Sequence, residues 1–106
     1  DIAVDITEVY AKKIHAMDAH VSQFYEWLPW TRKALDQVPE DSEAREAWLA
    51  TSRARPIGSE VRASLVKWYG GDRAENVTHA EAFEICEYGR QPNPTDICRL
   101  FPMLSN

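Results

Sequence analysis

Few of the side chains that can bind a metal ion are spaced in this sequence so that they could do so together. His15 and Asp18 stand three residues apart, so on a helix they would share one face and could supply two ligands to a metal ion. A zinc site needs a third protein ligand, and no nearby residue has the required spacing. His20 follows His15 by five residues, which places it about 140° away around a helix. We therefore interpret both histidines as polar residues on a solvated helix face.

The two cysteines and the familiar catalytic motifs add little chemistry. Cys86 and Cys98 neither form a C-x-x-C pair nor supply a disulfide framework, so we interpret them as reduced, mostly buried thiols. This usage favours a cytoplasmic location. The sequence has no G-x-S-x-G, no H-E-x-x-H and no glycine-rich phosphate loop, and its four glycines cannot build a dinucleotide fingerprint.

An aromatic cluster, F-Y-E-W-L-P-W at residues 24–30, offers a surface for a ligand. Aromatic faces stack on apolar patches of ligands, so Trp27 and Trp30 are candidate substrate-binding residues. The same cluster also fits a hydrophobic contact at a helix end, or a surface that meets another part of the protein.

Length and charge restrict the function classes. The chain has 106 residues with 12 basic and 17 acidic side chains, a net charge of −5, which predicts one small acidic domain over residues 1–106. Scattered cations in an acidic chain argue against nucleic-acid binding. No apolar stretch approaches the ~20 residues that a membrane span needs, and the first residues are acidic, so we expect neither membrane insertion nor a secretory signal.

Two segments show the period of two that is typical of strands. Ile2, Val4 and Ile6 alternate with smaller or polar residues, and a similar alternation runs through residues 79–88, of which 80–87 also fit a turn of helix. Two short strands do not form a stable sheet alone, so we expect them to complete a sheet supplied by residues outside this chain. The chain by itself should then expose unpaired strand edges and self-associate as a homo-oligomer or aggregate.

The other elements are predicted to be helices, which makes this chain mostly α-helical. Asp5 and Glu8 have capping-box spacing, and an apolar stripe of helical period runs from Ile14 to Leu28. One helix should therefore start after Asp5 and end near Glu26 to Leu28, because Pro29 follows. Capping residues, prolines and glycines delimit further helices at residues 30–37, 43–54, 59–69 and 96–101. The second of these should have its cap at Asp41 or Ser42 and an apolar face that includes Ala44 and Ala47. The third should have its cap at Ser59 and end at Gly70, and the fourth should have its cap at Thr95.

Two stretches resemble the PIG-L/LmbE-type zinc-dependent N-deacetylases. The segment D-I-A-V-D-I-T at residues 1–7, followed by K-I-H-A-M-D-A-H-V-S-Q at residues 13–23, is similar to the strand and the K-x-x-A-x-x-x-H-x-S-Q helix of that family. The segment A-E-A-F-E-I-C-E-Y-G-R-Q-P at residues 80–92 is similar to its last strand, which carries A/G-E-A-F. The resemblance covers both ends of the chain, and residues 27–76 match no motif of the family.

The resemblance implies a Rossmann-like α/β enzyme that removes an acetyl or related acyl group from an amino sugar or similar amine. In that family zinc polarises the carbonyl group, and a His-Pro-Asp-Asp/Glu motif supplies two zinc ligands and the general base. That motif lies upstream of the segments quoted above, and this chain contains no His-Pro-Asp sequence. The resemblance therefore implies the C-terminal portion of such an enzyme, inactive alone, with its zinc ligands outside this chain and its N-terminal portion as a partner.

His79 is the catalytic candidate that the resemblance singles out. The family commonly has an aromatic residue, usually Tyr, just before A-E-A-F, where it faces the oxyanion, and His79 stands at that position. An imidazole N–H could donate to an oxyanion in the same way, and a histidine at a surface or a strand entrance is the alternative interpretation. The alternative function for the whole chain is a non-catalytic helical interaction module. A His-Pro-Asp sequence encoded upstream of Asp1 would distinguish the two.

We predict that the 106-residue chain does not bind zinc stoichiometrically, because three scattered histidines and two distant cysteines offer no closed ligand set. Metal analysis after dialysis measures this. One tightly held zinc ion per chain would contradict the expectation that the ligands lie outside the chain, and would direct attention to His15, Asp18 and His79.

Overall fold

The computed structural model describes residues 1–104 and divides into two compact units. The sheet unit comprises Asp1–Thr7 and the chain from Pro56 onward, and the helical unit comprises Glu8–Arg55. In chain order the elements are β1 (Ile2–Asp5), α1 (Tyr10–Asp18), a π-helix (Ser22–Trp27), α2 (Leu28–Thr31), α3 (Ser42–Arg53), α4 (Ser59–Tyr69), α5 (Gly71–Asn76), β2 (Ala80–Phe83) and α6 (Pro94–Leu100), with 3-10 turns at Thr7–Val9, Leu35–Gln37 and Pro102–Leu104. This part of the chain is mostly helical, as predicted, and none of its helices has the length and apolar character of a membrane span.

The two predicted strands are present, and they pair with each other. β1 lies antiparallel to β2, with Ile2 opposite Phe83. β2 covers only part of the predicted range of residues 79–88, and beyond it the backbone N–H of Ile85 donates to the Asp1 carboxylate (2.9 Å). The N–H of Ile85 thus bonds to a side chain and not to a strand backbone.

Both faces of β1 are buried within the sheet unit. Because successive side chains of a strand point to opposite faces, β1 contributes to two clusters. The clusters are Ile2, Val4, Ile97 and Leu104 on one face, and Ala3, Leu65, Ala74 and Val77 on the other. Ala3 and Leu65 are 0% exposed. A register slip of one residue would push larger side chains into the space of Ala3, so this packing selects the observed register.

The edge of β1 opposite β2 is occupied by side chains of α4. The backbone N–H of Asp5 donates to the Tyr69 hydroxyl (3.2 Å), and the Asp1 carbonyl accepts from Trp68 Nε1 (3.1 Å) and Ser64 Oγ (3.2 Å). In an antiparallel pair these alternate residues direct their backbone groups away from the partner strand. The sequence predicts an open edge here, and side chains of α4 close it at Asp1 and Asp5.

The long helix predicted for the helical unit is interrupted. α1 ends at Asp18, and the Tyr25 hydroxyl donates to the Asp18 carboxylate (2.5 Å) across the break. Tyr25 is only 4% exposed, whereas Val21, which belongs to the predicted apolar stripe, is 47% exposed. The break therefore turns Tyr25 into the core, where it packs with Ile14 and Leu49.

Pro29 does not end the helix, contrary to the prediction. It is the second residue of α2, and the chain is helical on both sides of it because α2 directly follows the π-helix. Just before it, the Leu28 N–H bonds back to the Gln23 carbonyl in the wider π pattern. Lys33 follows α2 with a φ of 55°, in the left-handed region that commonly ends helices. The predicted helix over residues 30–37 is therefore reduced to the end of α2 and a 3-10 turn.

The predicted bounds of α3 and α4 are confirmed to within a residue or two. The Asp41 carboxylate caps α3 by accepting from the Ala44 N–H (2.9 Å). Its buried face differs from the prediction, because Leu49 is 0% exposed while Ala44 and Ala47 are exposed. α4 ends where predicted, before Gly70, whose φ of 83° is easily adopted only by glycine.

Helix α5 has no counterpart in the prediction. It is a short helix directly after Gly70, and such segments lack the periodic pattern that identifies longer helices. Near the C-terminal end of α5, the guanidinium group of Arg62 donates to the carbonyl groups of Ala74 and Val77. A side chain of α4 thus satisfies carbonyl groups that a short helix cannot pair internally.

The caps of two helices differ from the sequence prediction. Ser59 is the first residue of α4 and not its cap. At α6 the cap is Asn93 and not Thr95, because Asn93 accepts from the Asp96 N–H (2.9 Å) and donates its own N–H to the Asp96 carboxylate (3.1 Å). The Asn93 N–H, followed by the Arg90 guanidinium, lowers the pKa of Asp96. The reciprocal bonds start the helix earlier than predicted.

We predict that Tyr25→Phe lowers the free energy of unfolding by about 1–3 kcal/mol at neutral pH, because the Asp18 carboxylate loses its donor. Burial, and then the hydrogen bond to Asp18, raise the pKa of Tyr25. The unfolded chain therefore loses this proton near its ordinary pKa of about 10 while the folded chain retains it, so stability should fall as the pH rises above that value.

Urea unfolding at pH 7 and between about pH 10 and 11 measures both effects, with Tyr88→Phe as the control because Tyr88 is 86% exposed. The alkaline loss of stability should be smaller in Tyr25→Phe than in the wild type and unchanged in Tyr88→Phe. Equal stability of wild type and Tyr25→Phe at pH 7 would contradict the role given to this hydrogen bond.

Candidate functional site

His79 lies at the start of β2, beside the residues that follow β1. Its carbonyl accepts from the Ile6 N–H (3.0 Å), which continues the ladder between the strands. The Thr7 hydroxyl lies at hydrogen-bond distance from the backbone N–H groups of Thr78 (3.1 Å) and His79 (3.4 Å). Three contacts from one short segment therefore hold the main chain of Thr78 and His79.

The ring of His79 is oriented by its neighbour. Its side chain is half-buried, and its Nδ1 atom lies 3.0 Å from Thr78 Oγ1. When the Thr78 hydroxyl donates to Nδ1, the single proton of a neutral imidazole resides on Nε2, which is the tautomer that can donate to an oxyanion from Nε2. When Nδ1 donates to the hydroxyl, Nε2 becomes an acceptor. The direction of the hydrogen bond between Thr78 and Nδ1 thus determines whether Nε2 is a donor or an acceptor.

Trp27 and Trp30 lie together along a groove of the helical unit. Their side chains are 54% and 64% exposed. The groove has a volume of about 500 Å³ and a mostly apolar wall, and it is lined by Ser22, Gln23, Glu26, Trp27, Trp30 and Leu35. The structure therefore brings the two predicted tryptophans to one ligand-sized surface, whereas His79 belongs to the sheet unit.

The groove exists because five of its lining residues share one helix face. The π-helix continues directly into α2, so Ser22, Gln23, Glu26, Trp27 and Trp30 follow one another at helical spacing. Leu35 reaches the groove from the 3-10 turn that follows. Residue type alone pointed only to the tryptophans, although the helical spacing of residues 23, 26, 27 and 30 places the polar residues beside them.

The histidines and the aspartate considered as metal ligands contact other protein groups. His15 Nδ1 lies 3.5 Å from the Glu46 carboxylate in an exposed pair, and Asp18 accepts the hydrogen bond of the buried tyrosine. His20 packs edge-on against the ring of Phe24. Within residues 1–104, no three His, Cys, Asp or Glu side chains are arranged to hold a metal ion.

The environment of the cysteines corrects one prediction. Both thiols are free, with Cys98 half-buried and Cys86 exposed. The prediction of buried thiols is wrong for Cys86, because β2 ends at Phe83 and leaves the following residues outside the strand pair.

Comparison with known proteins found no relative of this chain: no family model, no curated protein and no solved structure matches it.

We predict that Thr7→Val lowers the free energy of unfolding by about 1–2 kcal/mol, because two backbone N–H groups lose their acceptor. The NMR signals of Thr78 and His79 should shift with it. Thr95→Val is the matched control, since Thr95 is exposed and lies outside the strand pair. Unfolding curves and amide spectra of the two variants provide the measurement. Equal stability of the two variants would show that the Thr7 hydroxyl does not hold the His79 segment.

Proposed function

We propose that this chain is the C-terminal portion of a zinc-dependent amide hydrolase that removes an acetyl or related acyl group from an amino sugar or similar amine. One observation carries the proposal. The two segments that resemble the PIG-L/LmbE-type deacetylases are separated by more than 50 residues, and they meet as β1 and β2. A chance resemblance at each segment would not require them to be paired neighbours.

In this proposal His79 donates a hydrogen bond to the oxyanion. When water attacks an amide, the carbonyl oxygen gains negative charge in the transition state, and a positioned donor stabilises that charge. The backbone bonds to Ile6 and Thr7 hold the main chain of His79, and the Thr78 hydroxyl accounts for the ring orientation. His79 would act as a donor from the Nε2–H tautomer.

Zinc enters the proposal only through residues outside this chain. The described residues do not fit a zinc site, since no three potential ligands converge. We therefore assign no zinc ligand in this chain and derive no step of His79 through the metal. The Rossmann-like architecture, the N-terminal portion as partner and the cytoplasmic location likewise remain parts of the proposal.

Trp27 and Trp30 are proposed to contact the substrate. Their side chains are exposed along a groove of about 500 Å³, within the range of small-molecule sites. The same exposed groove favours the second candidate function, a non-catalytic helical module that presents these residues to a partner. The upstream coding sequence separates the two, because only the hydrolase requires a His-Pro-Asp motif there.

Kinetics of the chain joined to its upstream-encoded portion test the role of His79. His79→Ala should lower kcat and kcat/KM together by roughly 10²–10³, because the donor acts on charge that develops only in the transition state. His79→Tyr should retain more activity than His79→Ala, because a phenol can donate in the same position. Release of amine from N-acetylglucosamine, with fluorescamine detection, measures the rates.

His15→Ala is the control, since its side chain is 80% exposed and pairs only at the surface of the helical unit. It should leave the rates unchanged, and the zinc content of all variants should be equal. Wild-type kinetics of a folded His79→Ala protein would exclude the donor role. If no His-Pro-Asp motif is encoded upstream, the hydrolase proposal itself is wrong.

A further inference from the structure

The groove beside the tryptophans carries one charged group, and that group is an anion. Glu26 contributes a carboxylate, Ser22 and Gln23 contribute neutral polar groups, and the remaining wall is apolar. None of the residues that line the groove is a lysine or arginine. Glu26 is also absent from the ion pairs of the described chain. A cation entering this groove would meet an unpaired carboxylate and no repulsion from its walls.

Four aromatic rings elsewhere in the described residues are already paired with cations. Arginine or lysine groups lie 4.4–5.3 Å from four ring centroids, those of Tyr25, Phe24, Trp68 and Tyr69. The indoles of Trp27 and Trp30 have no such partner in residues 1–104, although they are among the most exposed rings. An indole face is the best aromatic surface for a cation.

We propose that this groove binds a small organic ammonium ion whose nitrogen carries alkyl groups. The volume of about 500 Å³ fits a small molecule. A fully alkylated nitrogen has no N–H group to satisfy, so it can leave water and contact apolar walls without losing hydrogen bonds. Its charge is attracted by both indoles and by Glu26. This inference does not depend on the hydrolase activity.

A titration with two ligands of equal shape tests the proposal on the wild-type chain. Choline and its neutral isostere 3,3-dimethylbutan-1-ol differ in the charge at one atom, so they separate cation recognition from simple apolar contact. The chain has four tryptophans, and the indole N–H signals of Trp27 and Trp30 are assigned by NMR with the variants Trp27→Phe and Trp30→Phe. Choline should shift the signals of Trp27 and Trp30 and bind roughly threefold to tenfold more tightly than the alcohol.

A charge variant inside the groove and a matched one outside it locate the site. Glu26→Gln should weaken choline binding by roughly twofold to fivefold and leave the alcohol unaffected. Glu40→Gln makes the same change of net charge at an exposed position outside the groove, and should bind choline as the wild type does.

The proposal is overturned if choline and the alcohol bind equally, if choline leaves the Trp27 and Trp30 signals unmoved, or if Glu40→Gln weakens binding as much as Glu26→Gln. The ligand comparison uses the wild-type protein, so it decides the question even if a variant fails to fold. A positive result would stand whether or not the chain belongs to a hydrolase.

Discussion

The pairing of β1 with β2 is the interaction on which the sheet unit depends. β1 is only four residues long, and its stability comes from contacts on every side: β2 along one edge, α4 side chains along the other, and a buried cluster on each face. Short two-stranded ribbons are marginal in water, and such burial compensates for that weakness. The pairing also brings Thr7 to the main chain of His79.

Local signals predicted the elements that have clear ends. Asp41 capped α3 and Gly70 ended α4 as expected, because capping and left-handed turns are decided by a few adjacent residues. The stripe from Ile14 to Leu28 misled the prediction. Periodicity treats a helix as continuous, whereas the hydrogen bond between Tyr25 and Asp18 accompanies a break that changes which residues are buried.

The candidate site could be predicted only in part for the same reason. Trp27 and Trp30 were identified from residue type, and their groove arises from one helix face with helical spacing. His79 was identified through a resemblance, but the hydroxyl of Thr7 that holds its segment is more than 70 residues away in the chain. A contact between residues far apart in the sequence leaves no periodic pattern, so it can be identified only from the folded structure.

The register of the strand pair positions the rest of the sheet unit, and NMR measures it directly. In an antiparallel pair the residues that do not share hydrogen bonds approach most closely, with Cα atoms about 4.5 Å apart. These pairs should be Ala3 with Ala82 and Asp5 with Ala80, so each should give a strong Hα–Hα nuclear Overhauser effect. Both effects together would establish the pairing that places Thr7 beside His79. Their absence, or strong effects between residues shifted by one position, would contradict it.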